Sequence, residues 1–454
     1  PLYSSAASDV YKRQKEIYFM LGILLLCISL FLYFRKNYAI SLLLFISFCL
    51  NGLSILPDYI IGTSNSDLAL IYTIIISILN YNRKGYFKTK GQENIVYVII
   101  CFLLLSSIFS KFYYHLTFFQ IIQASRADYI ILSYFFLRRV NSNLFLQIYN
   151  YLQNITLITS ILYICQIIIG KAILPYPVEG SVDLTAGIMR FYNYPPLLTM
   201  FFVSSFIFPQ FIKRSRVNLY RIIFSITIVC TLGRTFIIAN IIVLLIGLYI
   251  QGGLRKSIQK ILILGILLIP FMDIITTRFS KGNTSEDLLY ILNTRPEDLQ
   301  EFTTGGTMTY RIAWFLERYY YLIDRPFLEK IFGLGLISDS QPYILKMYDF
   351  KVGATGKVGS AGLMTTPDFA WGNLLTHWGL GGMILITIFW LFLLYFFFKR
   401  SKYSVLSVIA FTSFLSLIIQ SFSGSTISRM GTIAIYLLFI STIKKQVQNK
   451  YGKN

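Results

Sequence analysis

The chain has 454 residues, 55% of them apolar and only 13% charged, against about 25% charged in a soluble globular protein. That composition excludes an ordinary soluble enzyme and fits a helical membrane protein. A net charge of +21 would point to nucleic acid in a soluble chain. Here most of the excess sits in short loops between apolar runs, where the positive-inside rule places it, so no nucleic-acid partner is expected.

Residues 1–14 (PLYSSAASDVYKRQ) are polar and lack the basic start and apolar core of a signal peptide. They are similar to translated adapter sequence and are expected to be a non-native tail. From there the apolar runs predict spans near 17–34, 38–56, 67–82, 95–111, 116–137, 153–170, 195–211, 221–232, 234–250, 259–274, 369–398, 403–420 and 427–443, since about 20 apolar residues cross ~30 Å of hydrocarbon. The expected fold class is all-α, a polytopic protein of about 12–13 transmembrane helices. Basic clusters at Arg35-Lys36, Arg83-Lys84, Arg138-Arg139, Lys213-Arg214, Arg255-Lys256, Lys399-Arg400 and Lys444-Lys445 occupy every second connection, which makes those connections cytoplasmic. Both flanks of 221–250 are basic, which predicts two short helices turning near Gly233. A single long span there would break the alternation downstream.

The expected organisation is N-terminal transmembrane helices over 15–274, one large extracytoplasmic loop over 275–368, C-terminal transmembrane helices over 369–443 and a solvated cytoplasmic tail over 444–454. The loop holds 11 of the 20 acidic residues and only 10 of the 41 basic ones. That asymmetry suits a translocated segment, because long loops escape the positive-inside bias. Within it, 307–323 has helical spacing at Ile312, Phe315, Leu316, Tyr319, Leu322 and Ile323. This predicts an amphipathic helix lying on the outer leaflet or over a cavity.

Few residues offer chemistry. The five cysteines lie inside apolar runs and none forms a Cys-x-x-Cys pair, and the chain has only two histidines, His115 and His377; no metal or other cofactor is expected. GATGKVG at 353–359 lacks the spacing of a phosphate-binding loop. Arg234, in CTLGRTFIIANIIV, stands among apolar residues, where an arginine costs about 2.5–3.5 kcal/mol and is a functional candidate by default. Snorkelling or helix packing is its plainer reading. Arg190 precedes an apolar run entered through Pro195-Pro196, and Arg311 opens the amphipathic helix; an interfacial anchor and an exposed helix residue are the plainer readings of those two. Three outward-facing guanidinium groups suit a phosphate-bearing ligand, which they bind bidentately at any physiological pH. Asp368, where the loop re-enters the membrane, can act as a proton acceptor, as a helix N-cap, or as both. Asn373 and His377 follow on the same helix, about 140° and 180° around it from Asp368.

The segments MRFYNYPPLL (189–198), TLGRTFIIANIIVLLIG (231–247), TMTYRIAWFLERYYYLIDRPFLEKIFGLGL (307–336) and PDFAWGNLLTHWGLGGMI (367–384), in this order around a long outer loop, resemble the O-antigen polymerase and O-antigen ligase superfamily of bacterial surface-polysaccharide enzymes. The resemblance covers most of the chain from about residue 95. It implies metal-independent glycosyl transfer at the outer face of the cytoplasmic membrane, from a glycan on undecaprenyl diphosphate. In that family frame Arg190, Arg234 and Arg311 would hold the diphosphate, with Arg234 and Asp368 the catalytic candidates. Arg325-Pro326 and Gly333-Leu334-Gly335 would shape the loop, and His377, Asn373 and Arg325 are further candidates. Ligases of the family place a histidine near the position of Asp368, and that departure favours a polymerase of oligosaccharide repeat units. Expected partners are the lipid-linked oligosaccharide, membrane lipids, a chain-length regulator and a flippase. A ligase of the same fold is the nearest rival. A lipid-linked oligosaccharide flippase is the next, although it would more commonly show two related halves and no such loop.

Overall fold

The computed structural model describes residues 21–268 (apart from 57–58, 61–62, 84, 90, 176–181, 186–187 and 213), 307–337, 348, 350, 352 and 368–451. The expected tail 1–14 and much of the loop 275–368 lie outside the described residues.

Small hydroxyl side chains set how the first helices meet. Helix α1 (Leu21–Phe34) turns into α2 (Tyr38–Cys49), and the two are clasped by reciprocal bonds. Ser29 Oγ donates to the Ser41 carbonyl at 3.0 Å and Ser41 Oγ to the Ser29 carbonyl at 2.7 Å. Ser41 Oγ also lies 2.7 Å from the Tyr72 hydroxyl on α3 (Asn65–Asn80). In an apolar surrounding such small polar contacts let helices approach closely. Two short antiparallel hairpins complete the N-terminal half, β1 (Tyr59–Ile60) with β2 (Thr63–Ser64) and, further on, β3 (Val182–Thr185) with β4 (Ile188–Phe191). They depart from a purely helical expectation only in the loops.

After α4 (Ile95–Tyr113) the single span expected over 116–137 is broken. Helix α5 (Phe118–Ser125) ends at a turn over Arg126–Asp128, a 3₁₀ turn covers Tyr129–Ser133, and α6 (Tyr134–Leu137) follows. The reason is the polar run Ser125-Arg126-Ala127-Asp128, whose Arg126 Nη1 lies 2.7 Å from Asp67.

Helix α7 (Ser142–Ile169) begins where the Asn141 side chain accepts the Leu144 N–H at 2.8 Å and ends on left-handed Gly170. Helix α8 (Leu198–Ile207) stops before Pro209, which has no N–H to continue the ladder. Helices α9 (Val217–Cys230) and α10 (Arg234–Leu268) are separated by a turn over 231–233, at the position predicted for the hairpin. The two spans expected at 234–250 and 259–274, however, form one unbroken helix of 35 residues. Glycine costs a helix only about 1 kcal/mol relative to alanine, and the flanking Leu, Arg, Lys, Ile and Gln are helix formers, so Gly252-Gly253 does not end it.

The amphipathic helix is present as α11 (Thr307–Ile323). Its most buried positions are Ala313, Trp314, Arg318 and Leu322, a stripe rotated from the expected one. Arg318 is fully buried because its guanidinium stacks 3.8 Å over Trp314 and 4.5 Å over Phe350, while Nη2 donates to the Val352 carbonyl at 3.1 Å. Helix α12 (Phe327–Phe332) follows, then α13 (Ala370–Arg400), α14 (Val405–Gln420) and α15 (Met430–Tyr451). Because α15 runs on through Lys444, the stretch expected as a solvated tail begins as helix.

Helix α13 is broken at Gly379, with φ +64° and ψ −170°. The break frees the Thr376 carbonyl, which accepts the Leu334 N–H at 2.8 Å. Gly333, at φ +75°, faces Gly379 backbone to backbone; a Cβ on Gly379 would meet the Gly333 nitrogen and stand 2.6 Å from the Ile331 carbonyl. Only a residue without a side chain fits at this crossing.

The helices have two distinct ends. At one, Glu93 pairs with Arg138 (3.8 Å) and with Lys444, and Ser404 Oγ donates to Gln446 at 2.6 Å. At the other, Gln166 bonds Asn193 at 2.8 Å, Ser54 Oγ donates to the Tyr194 carbonyl at 3.2 Å, and the Ala370 N–H donates to the Ser421 carbonyl at 3.1 Å. Helix α7 joins the two ends, its 28 residues spanning about 42 Å. Among the described residues, four stretches are long and apolar enough to cross a membrane: α4, α7, Arg234–Gly252 of α10, and α13. Only 28–44% of their positions are buried, so most of their apolar side chains face outward, among them Leu104, Ile108, Ile168 and Leu391. Water would not tolerate that much contiguous apolar surface on a monomer; the chain is a helical membrane protein.

Candidate functional site

At the end opposite Glu93, four residues from distant parts of the chain converge. Arg190 is carried by β4, which is pinned to α7 by the Tyr163 hydroxyl donating to the Phe191 carbonyl at 2.7 Å. Its Nε donates to the Thr231 carbonyl at 3.0 Å, its Nη1 to the Tyr192 hydroxyl at 3.0 Å, and its guanidinium lies 4.3 Å over the Tyr192 ring. Thr231 caps the C-terminus of α9, the negative end of that helix, so the cation is well placed there.

Arg234 opens α10, directly after the turn in which Leu232 takes φ +52°. A cation at the positive end of a helix is unfavourable unless an anion is shared between them. Arg311, in the second turn of α11, keeps 14% of its side chain exposed and lies 3.9 Å from Asp368; its buried Nε has no hydrogen-bond partner among the described residues. Burial works against the charge of Arg311, Asp368 restores it, and the positive charges of Arg190 and Arg234 oppose it again. An arginine stays protonated under that pressure. The cluster therefore holds three guanidinium groups and one carboxylate within electrostatic reach.

Asp368 is 49% exposed and does not cap the helix. The N-cap of α13 is Phe369, which leaves the carboxylate one residue outside the capping position, turned to Arg311 and to water. That corrects the capping reading.

Asn373 and His377, one turn apart on α13, line a different feature. It is a cavity of about 280 Å³ between α13, the Arg126–Asp128 turn and the turn before α15, bounded also by Asp128, Trp378, Ser428 and Arg429. Asp128 and the cavity escaped the sequence reading because 116–137 looked like a plain span; the charged pair two residues apart, Arg126 and Asp128, was the available signal. Arg325 is placed with neither group. It bonds the Tyr321 hydroxyl and lies 3.9 Å from Glu329, which accepts the Tyr113 hydroxyl at 2.8 Å, so it joins α11, α12 and α4. Arg318 was also missed, although a tryptophan four residues before an arginine in an apolar helix is the pattern of an intrahelical cation–π stack.

No protein-family model and no curated protein matches the chain. The chemical reading rests on the geometry. Three guanidiniums and one exposed carboxylate at one end of the helices can bind a doubly charged anion and can take up a proton beside it.

Proposed function

We propose that the protein is a polymerase of lipid-linked oligosaccharide repeat units. It takes an undecaprenyl-diphosphate glycan as donor on the outer face of the cytoplasmic membrane and makes O-antigen, capsule or exopolysaccharide. The convergence of Arg190, Arg234 and Arg311 beside Asp368 carries the proposal. In the reaction an acceptor sugar hydroxyl attacks the anomeric carbon of the donor glycan, and the bond to the diphosphate oxygen breaks. The diphosphate leaves with the bonding electrons, and the guanidiniums stabilise the negative charge that develops on it. Asp368 accepts the hydroxyl proton. The leaving group is already activated, so the protein's work is binding, orientation and electrostatics.

The test is the reaction in proteoliposomes, with the full chain and the purified undecaprenyl-diphosphate repeat unit. Wild type is expected to give long glycans. Asp368→Asn keeps the shape but removes the proton acceptor and the charge facing Arg311. It is expected to insert at wild-type level and slow polymerisation by about a hundredfold, at the low end of what one general base contributes. Wild-type rates from that variant would dismiss Asp368 as the base, and no polymer from wild type would dismiss the function.

In this reading residues 275–368 face outward and the C-terminus is cytoplasmic, as supported by the charge asymmetry and by the grouping of Arg138, Ser404 and Lys444 at one end of the helices. Single cysteines at Ser285 and Gln446 report it in intact cells without an outer-membrane barrier. A membrane-impermeant thiol reagent is expected to label position 285 and spare 446. The reverse pattern would overturn this topology.

A further inference from the structure

The cavity lined by Asn373 and His377 is built from parts that the mechanism above does not use. Asp128 is 7% exposed and sits against the Trp378 indole. The turn that carries it is held by the Arg126–Asp67 ion pair at 2.7 Å, and Asp67 in turn accepts the Ser64 N–H at 2.6 Å at the start of α3. Two elements distant in sequence thus fix one buried carboxylate at the wall of an open space. The Trp378 indole N–H donates to this carboxyl group, which has acceptor capacity left over, and the fold leaves open space beside it rather than filling it with apolar side chains.

The chemistry of the walls selects the occupant. Asn373 and His377 are half-buried and each both donates and accepts hydrogen bonds. Ser428 adds a hydroxyl, Arg429 is an exposed donor at the rim, and Trp378 supplies an apolar wall. A strongly anionic ligand finds no cluster of cations here, since a carboxyl group forms one wall and Arg429 lies out at the rim. A lipid chain is disfavoured by the polar lining. A pyranose ring suits all of these features, since its hydroxyls both donate and accept and one of its faces is C–H. The volume of about 280 Å³ is at the lower edge of small-molecule sites, enough for a single ring and too small for an oligosaccharide. Asn373 and His377 lie about 5 and 10 Å along the axis from the first residue of α13, at ~1.5 Å per residue, and Asp368 is just before that residue. A glycan of several sugars that reaches past the start of α13 can therefore lay one of its rings here.

We infer that this cavity is a subsite for one uncharged sugar ring of the acceptor glycan, with Asp128 accepting hydrogen bonds from its hydroxyls and Asn373 and His377 fixing its orientation. The inference rests on the polymerase reading for the identity of the glycan. It concerns binding alone, so its test is a binding measurement. The full chain in lipid nanodiscs is titrated calorimetrically with the repeat-unit oligosaccharide released from its lipid, which carries no diphosphate. Wild type is expected to bind it. Asp128→Asn, which keeps shape and loses charge, is expected to weaken binding at least tenfold, and so is Asn373→Ala, which keeps the assay informative if the first variant fails to fold. Arg234→Lys is expected to bind the oligosaccharide as wild type does while polymerising roughly tenfold to a hundredfold more slowly. No binding by wild type, or undiminished binding by the folded cavity variants, overturns the subsite and leaves the polymerase reading standing. Oligosaccharide binding in a protein that makes no polymer overturns the polymerase reading and leaves the subsite standing.

Discussion

Arg234→Lys is expected to slow polymerisation roughly tenfold to a hundredfold while the protein still inserts and folds. A planar guanidinium presents two parallel N–H donors to two phosphate oxygens, and an ammonium acts as a single point charge. Exchanging one for the other keeps the charge and loses about one charge-assisted hydrogen bond, worth roughly 1.5–3 kcal/mol, and each 1.4 kcal/mol on the barrier is about tenfold in rate. Position favours a large effect. Arg234 begins α10, where the positive end of the helix favours an anion bound beside the guanidinium. Chain-length distributions on gels and the rate in proteoliposomes both read the change. Normal long chains from the lysine variant would reduce Arg234 to a membrane-interface anchor. Arg190 is the poorer choice for such a test, since its contacts to Thr231 and Tyr192 give it a packing role as well.

The second large effect is on folding. Gly379→Ala is expected to destabilise the protein by more than about 3 kcal/mol, through strain at φ +64° and ψ −170°, a backbone region close to glycine-only, and through collision with the backbone of residues 331–333. The Leu334–Thr376 hydrogen bond that locks α12 into the break of α13 would be lost with it. The helices below the break carry His377 and Asn373, so the damage would spread to the cavity. Thermal unfolding in detergent and the yield of monodisperse protein measure this. Gly424→Ala is the control: its added methyl would meet only the Gln420 carbonyl at 3.8 Å, an ordinary contact, and near-wild-type stability is expected. A Gly379→Ala protein as stable as that control would show that α13 can straighten and that the glycine crossing is dispensable.

Several elements were legible before any coordinates. The basic flanks of 221–250 demanded a turn, and the chain breaks at 231–233. The spacing over 307–323 demanded a helix, and α11 covers it. The same cues failed where a segment's environment is other protein. The run 116–137 is apolar enough to suggest a span, but Arg126 finds Asp67, 59 residues away, and the helix breaks to make that meeting. The buried stripe of α11 includes Arg318 because Trp314, Phe350 and the Val352 carbonyl surround it, and hydropathy scores such an arginine as outward-facing. The basic cluster at Arg255-Lys256 suggested a connection between two spans, and the surrounding helix formers carry α10 through it.

The sequence by itself determined that this is a helical membrane protein, which stretches suit lipid, and which arginines are conspicuous among apolar neighbours. Those properties follow from the partition of each segment between water and hydrocarbon, which depends on local composition. Only the tertiary structure decided that Arg190 and Arg234 come within electrostatic reach of Arg311, that Arg311 meets Asp368, that Asp368 lies outside the cap of α13, and that Asp128 faces a cavity with Asn373 and His377. These depend on the register in which distant helices pack, and packing is set by shape, by paired polar groups and by backbone crossings such as Gly333 against Gly379, none of which leaves a period in the sequence.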